Sequence, residues 1–286
     1  MSWRVVIVTR VLPVALGFYE AVREAGHEPV ALLTIRDTDG RYGAFDIGVM
    51  LGELPADLSV LLPARRSAIA PLLASVQPEL VVCMGFPWKV PPDALAVPTH
   101  GWINGHPSLL PLHRGPVPVA WAIRGGDKEI GITFHRMDAE LDTGAILAQK
   151  TFGLGEYVEP DTFYPQMGVV VIETLREALD RLAAGEPGTV QEAEGTYESF
   201  FTDDDAMLDF SRTAVELHRL VWAWRYTVPR GTLHGALAEV DGETVRVLES
   251  SLVEVEGATR VECADGPLWL VKTEPVSAET PSTPPA

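Results

Sequence analysis

The sequence is short of basic residues, cysteines and long apolar runs, and each shortage excludes a class of function. Its 286 residues include 22 Lys and Arg against 40 Asp and Glu, which gives a formal net charge of -18. Broad binding to a phosphate backbone depends on clustered Lys and Arg, so this balance disfavours extended contact with nucleic acid. No apolar run approaches the length of a membrane span, so a role inside a membrane is not expected.

The two cysteines, Cys83 and Cys263, indicate neither redox chemistry nor a metal site. Neither has a CxxC partner or a nearby histidine cluster. Cys83 lies in an apolar run and is expected to be a buried structural thiol. The N-terminus leads directly into an apolar run without the features of a signal peptide, so a cytoplasmic protein that needs no metal is predicted.

The first part of the chain alternates apolar runs with amphipathic segments. Residues 5–8 and 27–33 are typical of buried strands, and residues 14–24 between them have helical periodicity. This β-α-β opening predicts an α/β fold with a Rossmann-like, doubly wound parallel sheet. The turn at residues 8–13 lacks the G-x-G-x-x-G pattern of dinucleotide-dependent oxidoreductases, so that class is disfavoured.

The pattern changes near residue 200, where short strand-like runs replace the alternation. Asp241-Gly242 between two of these runs is a typical hairpin turn. A small, mainly-β, barrel-like second domain is therefore predicted. The predicted organisation is a first domain at 1–190, a linker at 191–205, the second domain at 206–275 and a disordered tail at 276–286.

Three polar side chains near the middle of the chain are candidates for catalysis. If the strand that contains Ile103 continues to His106, Asn104 and His106 lie at positions i and i+2 and share one face. Asp142 follows at the end of another element. An amide donor, a base and a carboxylate that orients the base suit acyl transfer without a protein nucleophile. Each residue alone would be read as a turn or core residue, but their joint spacing favours a site.

The spacing of these residues resembles that of the formyltransferases that use 10-formyltetrahydrofolate. Residues 208–214 and 218–220 further resemble the start of the second domain of methionyl-tRNA formyltransferases, in which a small β-barrel follows the catalytic domain. The residues that carry the main resemblance are Asn104-x-His106-x-Ser108-Leu109-Leu110-Pro111, Gly126-Asp127-Lys128-Glu129-x-Gly131-x-Thr133, Met137-Asp138-x-x-Leu141 and Asp142-Thr143-Gly144.

The resemblance implies a role for each candidate residue. An amine attacks the formyl carbon of the folate, and Asn104 would donate its amide to the oxygen that becomes negative. His106 would take part in proton transfer from the amine, and Asp142 would orient His106 and favour its protonated form. His135 stays open between a substrate contact and a structural residue.

The resemblance also implies that the folate lies against two loops and the segment before Asp142. Where the tRNA enzymes usually read Ala-Tyr-Gly, this chain has Gly85-Phe86-Pro87, so the geometry of the pterin site stays open. A purely structural role for Phe86 and Trp88 is the alternative. The expected folate contacts are Phe86, Pro87, Trp88, Val90, Ser108, Leu109, Leu110, Pro111, Asp138 and Leu141.

Charge guides the prediction of the formyl acceptor. The tRNA enzymes carry a basic insertion after the second strand, and the matching residues 37–46 contain no run of basic residues. From residue 200 onward there are seven Lys or Arg against fifteen Asp or Glu. A small amine is therefore predicted: an amino sugar, an amino acid or a biosynthetic intermediate.

Three alternatives remain open at this point. The first is methionyl-tRNA formylation. The second is hydrolysis of 10-formyltetrahydrofolate, although related hydrolases usually carry an N-terminal regulatory domain, which is not expected where a sheet begins at Val5. The third is a non-catalytic folate-binding protein. The oligomeric state is open, and Trp222, Trp224 and Tyr226 are expected to pack in the core rather than bind the acceptor.

Overall fold

The computed structural model describes residues 2–36, 47–155, 159–192, 194–227 and 235–276. The stretch 37–46 and residues 277–286 of the predicted tail lie outside these ranges. Contacts divide the chain into two units, and the predicted domain boundaries along the chain remain a prediction. The first unit comprises Met1–Gly115, Glu129–Gly153 and Asp161–Tyr197, and the second comprises Pro116–Lys128, Leu154–Pro160 and Glu198–Ala286.

Helices and strands are mixed along the chain as far as residue 226, and the elements after that residue are strands. The helices are α1 (Leu12–Glu24), α2 (Ile47–Glu53), α3 (Ile69–Val76), α4 (Pro92–Leu95), α5 (Pro118–Gly125), α6 (Pro160–Ala183) and α7 (Ala214–Ala223). The strands are β1 (Arg4–Val8), β2 (Glu28–Leu33), β3 (Ser59–Leu61), β4 (Leu80–Cys83), β5 (Trp102–His106), β6 (Glu129–Arg136), β7 (Ile146–Gly153), β8 (Ala236–Val240), β9 (Glu243–Ser251), β10 (Thr259–Cys263) and β11 (Gly266–Pro275).

The first unit is built on a seven-stranded sheet in the order β3-β2-β1-β4-β5-β6-β7. β1 to β5 are parallel, which confirms the predicted Rossmann-like arrangement. β6 and β7 add an antiparallel edge. The connection between β6 and β7 is too short for a crossover helix, so these two strands can pair only as antiparallel neighbours.

Two apolar layers cover the sheet, one on each face. Phe18 of α1 and Leu175 of α6 belong to one layer, and Leu73 of α3 belongs to the other. Cys83 is buried at the end of β4, as expected for a structural thiol, and burial raises its pKa to about 12. A thiol with that pKa is protonated at neutral pH and unreactive.

Gly105 explains the local sequence of β5. A Cβ atom at this position would lie 2.9 Å from Cζ of Phe134 and 3.3 Å from Sδ of Met84, so only glycine fits against these side chains. Because side chains alternate along a strand, this close packing on one face leaves Asn104 and His106 together on the other.

The second unit combines α5 and α7 with a four-stranded antiparallel half-barrel sheet in the order β10-β11-β9-β8. Trp222, Trp224 and Tyr226 are buried in this unit. Trp224 packs edge-on against Phe201 and donates from Nε1 to the carbonyl oxygen of Asp205. The packing interpretation of these aromatic residues is therefore confirmed. Within the described residues, no helix is both long enough and apolar enough to cross a membrane.

Candidate active site

Asn104 and His106 lie at the carboxyl end of β5, near the centre of the sheet. β4 pairs with β5 on one side, and Cys83 is opposite Asn104 there. β6 pairs on the other side, with His135 opposite Asn104. Ligand sites of open α/β sheets occur at the carboxyl ends of the strands, so this position suits a site.

Asp142 lies between two imidazole rings. Its Oδ1 is 3.6 Å from Nδ1 of His106 and 3.7 Å from Nε2 of His135. Its other oxygen, Oδ2, accepts a 3.0 Å hydrogen bond from the backbone N–H of Gly115. The structure thus brings together the three residues that the sequence singled out and adds His135, whose role the sequence left open.

A backbone contact fixes the ring of His106. Nε2 of His106 is 2.8 Å from the carbonyl oxygen of His113, to which it can only donate. In the neutral ring, the unprotonated nitrogen is then Nδ1, which faces Asp142. Proton uptake at Nδ1 places the new positive charge beside the carboxylate. Sequence patterns could not indicate this contact, because the acceptor is a main-chain carbonyl that any residue would supply.

His135 is held in its neutral form and serves as a hydrogen-bond acceptor for Asn104. Its Nδ1 donates to the carbonyl oxygen of Arg136 at 2.8 Å, and its Nε2 accepts from Nδ2 of Asn104 at 3.3 Å. Burial lowers the pKa of His135 to about 4, although Asp142 opposes the shift. A carboxamide has two N–H bonds, so Asn104 can donate the second one to a reacting oxygen.

The loop Ser108–Pro111 is tied to β6 and β7 by buried polar contacts. Oγ1 of Thr133 donates to the carbonyl oxygen of Ser108 at 2.7 Å and accepts from the N–H of Leu110 at 3.3 Å. Nε2 of Gln149 donates to the carbonyl oxygen of Leu110 at 3.0 Å. Ser108 and Leu110 are buried, whereas Leu109 and Pro111 are half-buried. This loop therefore has a fixed position directly after His106.

The loop at residues 85–90, which contains the aromatic side chains of Phe86 and Trp88, follows β4, next to the strand that carries Asn104. Phe86, Pro87 and Trp88 are half-buried, and Val90 is buried. The rings of Phe86 and Trp88 meet edge-on at 5.9 Å, and both pack against the apolar layer on one face of the sheet. These side chains therefore contribute to the core and also keep part of their surface exposed.

The segment before Asp142 has an internal hydrogen-bond pattern. Oδ1 of Asp138 accepts from the N–H of Glu140 at 3.0 Å and from Oγ1 of Thr143 at 2.9 Å. Asp138 thus shapes its own loop, while the Leu141 side chain is exposed. In the part of the chain that the structure describes, no group of three or more His, Cys, Asp or Glu side chains could hold a metal ion.

Sequence comparisons match the chain to known proteins. A family model described as "Formyl transferase" matches residues 21–163. A methionyl-tRNA formyltransferase of Roseiflexus sp. (strain RS-1) is 32% identical over 257 residues, which cover 86% of this chain and 77% of that protein. A methionyl-tRNA formyltransferase of Myxococcus xanthus is 35% identical over 222 residues, or 74% of this chain and 70% of that protein.

Structural comparisons give matches at lower identity, which show the fold alone. HypX from Aquifex aeolicus, in complex with tetrahydrofolic acid, has a TM-score of 0.67 and 17% identity. That match covers 97% of this chain and 45% of HypX, so the chain spans less than half of that protein. A sugar N-formyltransferase from a Shewanella species has a TM-score of 0.65 and 22% identity, covering 88% of this chain and 99% of that chain.

Proposed function

Because the chain is an enzyme of the formyltransferase family, we propose that it moves the formyl group of 10-formyltetrahydrofolate to an amine of a small molecule and releases tetrahydrofolate. The observation that carries this proposal is the convergence of Asn104, His106 and Asp142 at the carboxyl end of β5. These residues supply an oxyanion donor and a base without a nucleophile of the protein.

The reaction begins when the unprotonated amine attacks the formyl carbon. The formyl oxygen becomes negative and receives the second N–H of the Asn104 carboxamide, whose first N–H is held by His135. Nδ1 of His106 takes a proton from the attacking nitrogen, and Asp142 stabilises the resulting imidazolium. Collapse of the intermediate breaks the bond to N10 of the folate, and the same proton then neutralises that nitrogen.

Two loops are proposed to bind the folate. The aromatic rings of Phe86 and Trp88 offer apolar surface beside the strand that carries Asn104. The loop Ser108–Pro111 is held rigid by Thr133 and Gln149, which suits a site that recognises a ligand through backbone groups. Asp138 and Leu141 are proposed as further contacts from the segment before Asp142.

Charge supports a small acceptor. In the second unit, four arginines are paired with glutamates, as in Arg225–Glu159 at 2.9 Å. Each pair removes a positive charge that would otherwise release counterions from a nucleic acid. The same pairing is made by Arg212–Glu216, Arg246–Glu274 and Arg260–Glu262.

The second candidate is methionyl-tRNA formylation. It is favoured by relatives of that name that align over most of their own length. A local basic path across an acidic surface would be sufficient for it. The two candidates share the folate chemistry and differ only in the acceptor.

The test is release of tetrahydrofolate from 10-formyltetrahydrofolate, measured in parallel with amino sugars, amino acids, initiator methionyl-tRNA and buffer alone. We expect turnover with at least one small amine, loss of that turnover in His106→Ala, and its retention in the control His100→Ala at an exposed position. If methionyl-tRNA is the only acceptor that gives turnover, the small-amine proposal is wrong and methionyl-tRNA formylation takes its place. Equal release in buffer would indicate a hydrolase, and no release in any arm would overturn the proposal.

A further inference from the structure

Gln191 joins the two segments that surround the candidate catalytic residues. It follows α6 in an irregular stretch of the first unit, and its side chain is half-buried. Nε2 donates to the carbonyl oxygens of Asp142 at 3.0 Å and Gly144 at 2.7 Å. Oε1 accepts a 2.8 Å hydrogen bond from Nη2 of Arg114. One carboxamide thus makes three hydrogen bonds, all of them within this site.

The backbone at Asp142 needs such support. Its φ angle is +60°, in the left-handed region that residues other than glycine seldom adopt. A residue in this region is kept there by its surroundings. The contacts from Gln191 fix the carbonyl groups on both sides of Thr143, and they therefore determine the direction in which the Asp142 carboxylate leaves the chain.

Arg114, which Gln191 contacts, lies between two residues whose backbone groups bind the side chains of His106 and Asp142. The residue before it, His113, supplies the carbonyl oxygen that holds Nε2 of His106. The residue after it, Gly115, donates its N–H to Oδ2 of Asp142. Gln191 therefore connects the loop that carries the carboxylate with the loop that orients the imidazole.

We propose that Gln191 is a positioning residue that acts through Asp142. This inference rests on the proposed formyl transfer, in which Gln191 contacts neither the folate nor the amine. It keeps the Asp142 carboxylate beside Nδ1 of His106, at the place where the proton arrives. Displacement of a catalytic group by about 1 Å can slow a reaction by roughly a hundredfold.

The expected effect is therefore on the chemical step. Gln191→Met keeps the length of the side chain and removes all three hydrogen bonds. It should lower kcat by roughly ten- to a hundredfold and change KM for 10-formyltetrahydrofolate by less than about threefold. Gln191→Glu retains an acceptor for Arg114 but turns an oxygen towards the carbonyl oxygens of Asp142 and Gly144, so its kcat should fall by a similar factor. The matched control is Gln166→Met on the exposed surface of α6, which should leave kcat unchanged.

A double-mutant cycle separates a positioning role from general loss of structure. If Gln191 acts through Asp142, Gln191→Met should have less than about a threefold effect on kcat in an Asp142→Ala background. Equal losses in both backgrounds, or an unchanged kcat in Gln191→Met, would overturn the proposal.

Hydrogen exchange supplies a readout that does not depend on activity. The Gly115 amide should exchange faster in Gln191→Met than in the unaltered protein, because its acceptor on Asp142 becomes less fixed, while the core amides of β4 keep their protection. Unchanged exchange at Gly115 would contradict the positioning role. Absence of formyl transfer in the unaltered protein would overturn the proposed function instead, and the exchange result would still decide whether Gln191 holds this loop.

Discussion

Asn104 is the only asparagine in the chain, and its side-chain amide donates a hydrogen bond to His135. Two side chains of the same strand face, Asn104 and His106, were predictable from their i, i+2 spacing. The partners that orient them were less accessible to sequence reasoning. His135 comes from the neighbouring antiparallel strand, and the carbonyl of His113 belongs to a loop. Neither partner can be read from local pattern, because the first contact depends on how the strands pair and the second on the path of the loop after β5.

The titration of His135 follows from its burial. Its lowered pKa predicts a neutral ring with the proton on Nδ1 throughout the range from pH 7.5 to 5.5, with a midpoint near 4. Nitrogen NMR of the histidine rings measures this directly, and His135→Gln identifies the signal. A midpoint near the usual value of about 6.5 would show that the ring is solvated or that Asp142 outweighs burial.

At the scale of elements, the connection between β6 and β7 controls where Asp142 lies. Gly144 is buried, and a Cβ atom on it would lie 1.8 Å from the carbonyl oxygen of Arg136. That oxygen also accepts the hydrogen bond from His135. Because the obstacle is backbone, it cannot move aside as a flexible side chain would.

Gly144→Ala should therefore destabilise the protein by about 3 kcal/mol and reduce activity together with stability. Gly153→Ala is the matched control, since it changes the glycine that ends β7, the strand after this connection, and a Cβ atom there would have no atom within 4 Å. The control should stay within about 0.5 kcal/mol of the unaltered protein. Urea unfolding of the three proteins gives the comparison, and equal stability of both variants would show that the loop has room that the structure does not indicate.

Most elements could be predicted from sequence, and the exceptions have physical causes. The apolar runs of β1 and β2 and the periodicity of α1 predicted those elements within a few residues. The acidic run Asp203–Asp205 forms one 3-10 turn, in which Asp205 pairs with Arg124. The direction of β6 depends on long-range pairing with β5, which no local pattern encodes. The contacts of Gln191 likewise join residues far apart in sequence.

At the scale of the whole molecule, buried histidines couple folding to pH. Burial lowers the pKa values of His27, His135 and His218, the last two to about 4. Below about pH 6.5 the unfolded chain binds protons at these positions that the folded chain does not bind. The free energy of unfolding therefore falls as the pH is lowered from about 6.5 towards 4.

Urea unfolding at pH 7.5 and 5.5 tests this coupling before most carboxylates titrate. The protein should be less stable at pH 5.5, with about 1 kcal/mol of the loss from His135 alone. His135→Gln should reduce the difference between the two pH values, whereas His100→Gln at an exposed position should not. A protein that is equally stable or more stable at pH 5.5 would contradict the lowered pKa values.

The excess of acidic residues bears on the acceptor rather than on the fold. Among the described residues of the second unit, four arginines form ion pairs with glutamates and Arg124 pairs with Asp205. This charge supports the proposed amine acceptor, which is positively charged in solution, over a polyanion.

The proposed formyl transfer is tested by following the formyl carbon itself. Protein is mixed with 10-formyltetrahydrofolate labelled with 13C in the formyl group and with the amine that gives turnover, and the N-formyl product is quantified by mass. We expect a labelled product from the unaltered protein and formation that is roughly a hundred- to a thousandfold slower in Asn104→Ala of equal stability. Label that appears only as free formate, or an Asn104→Ala protein that forms product at the original rate, would contradict this expectation.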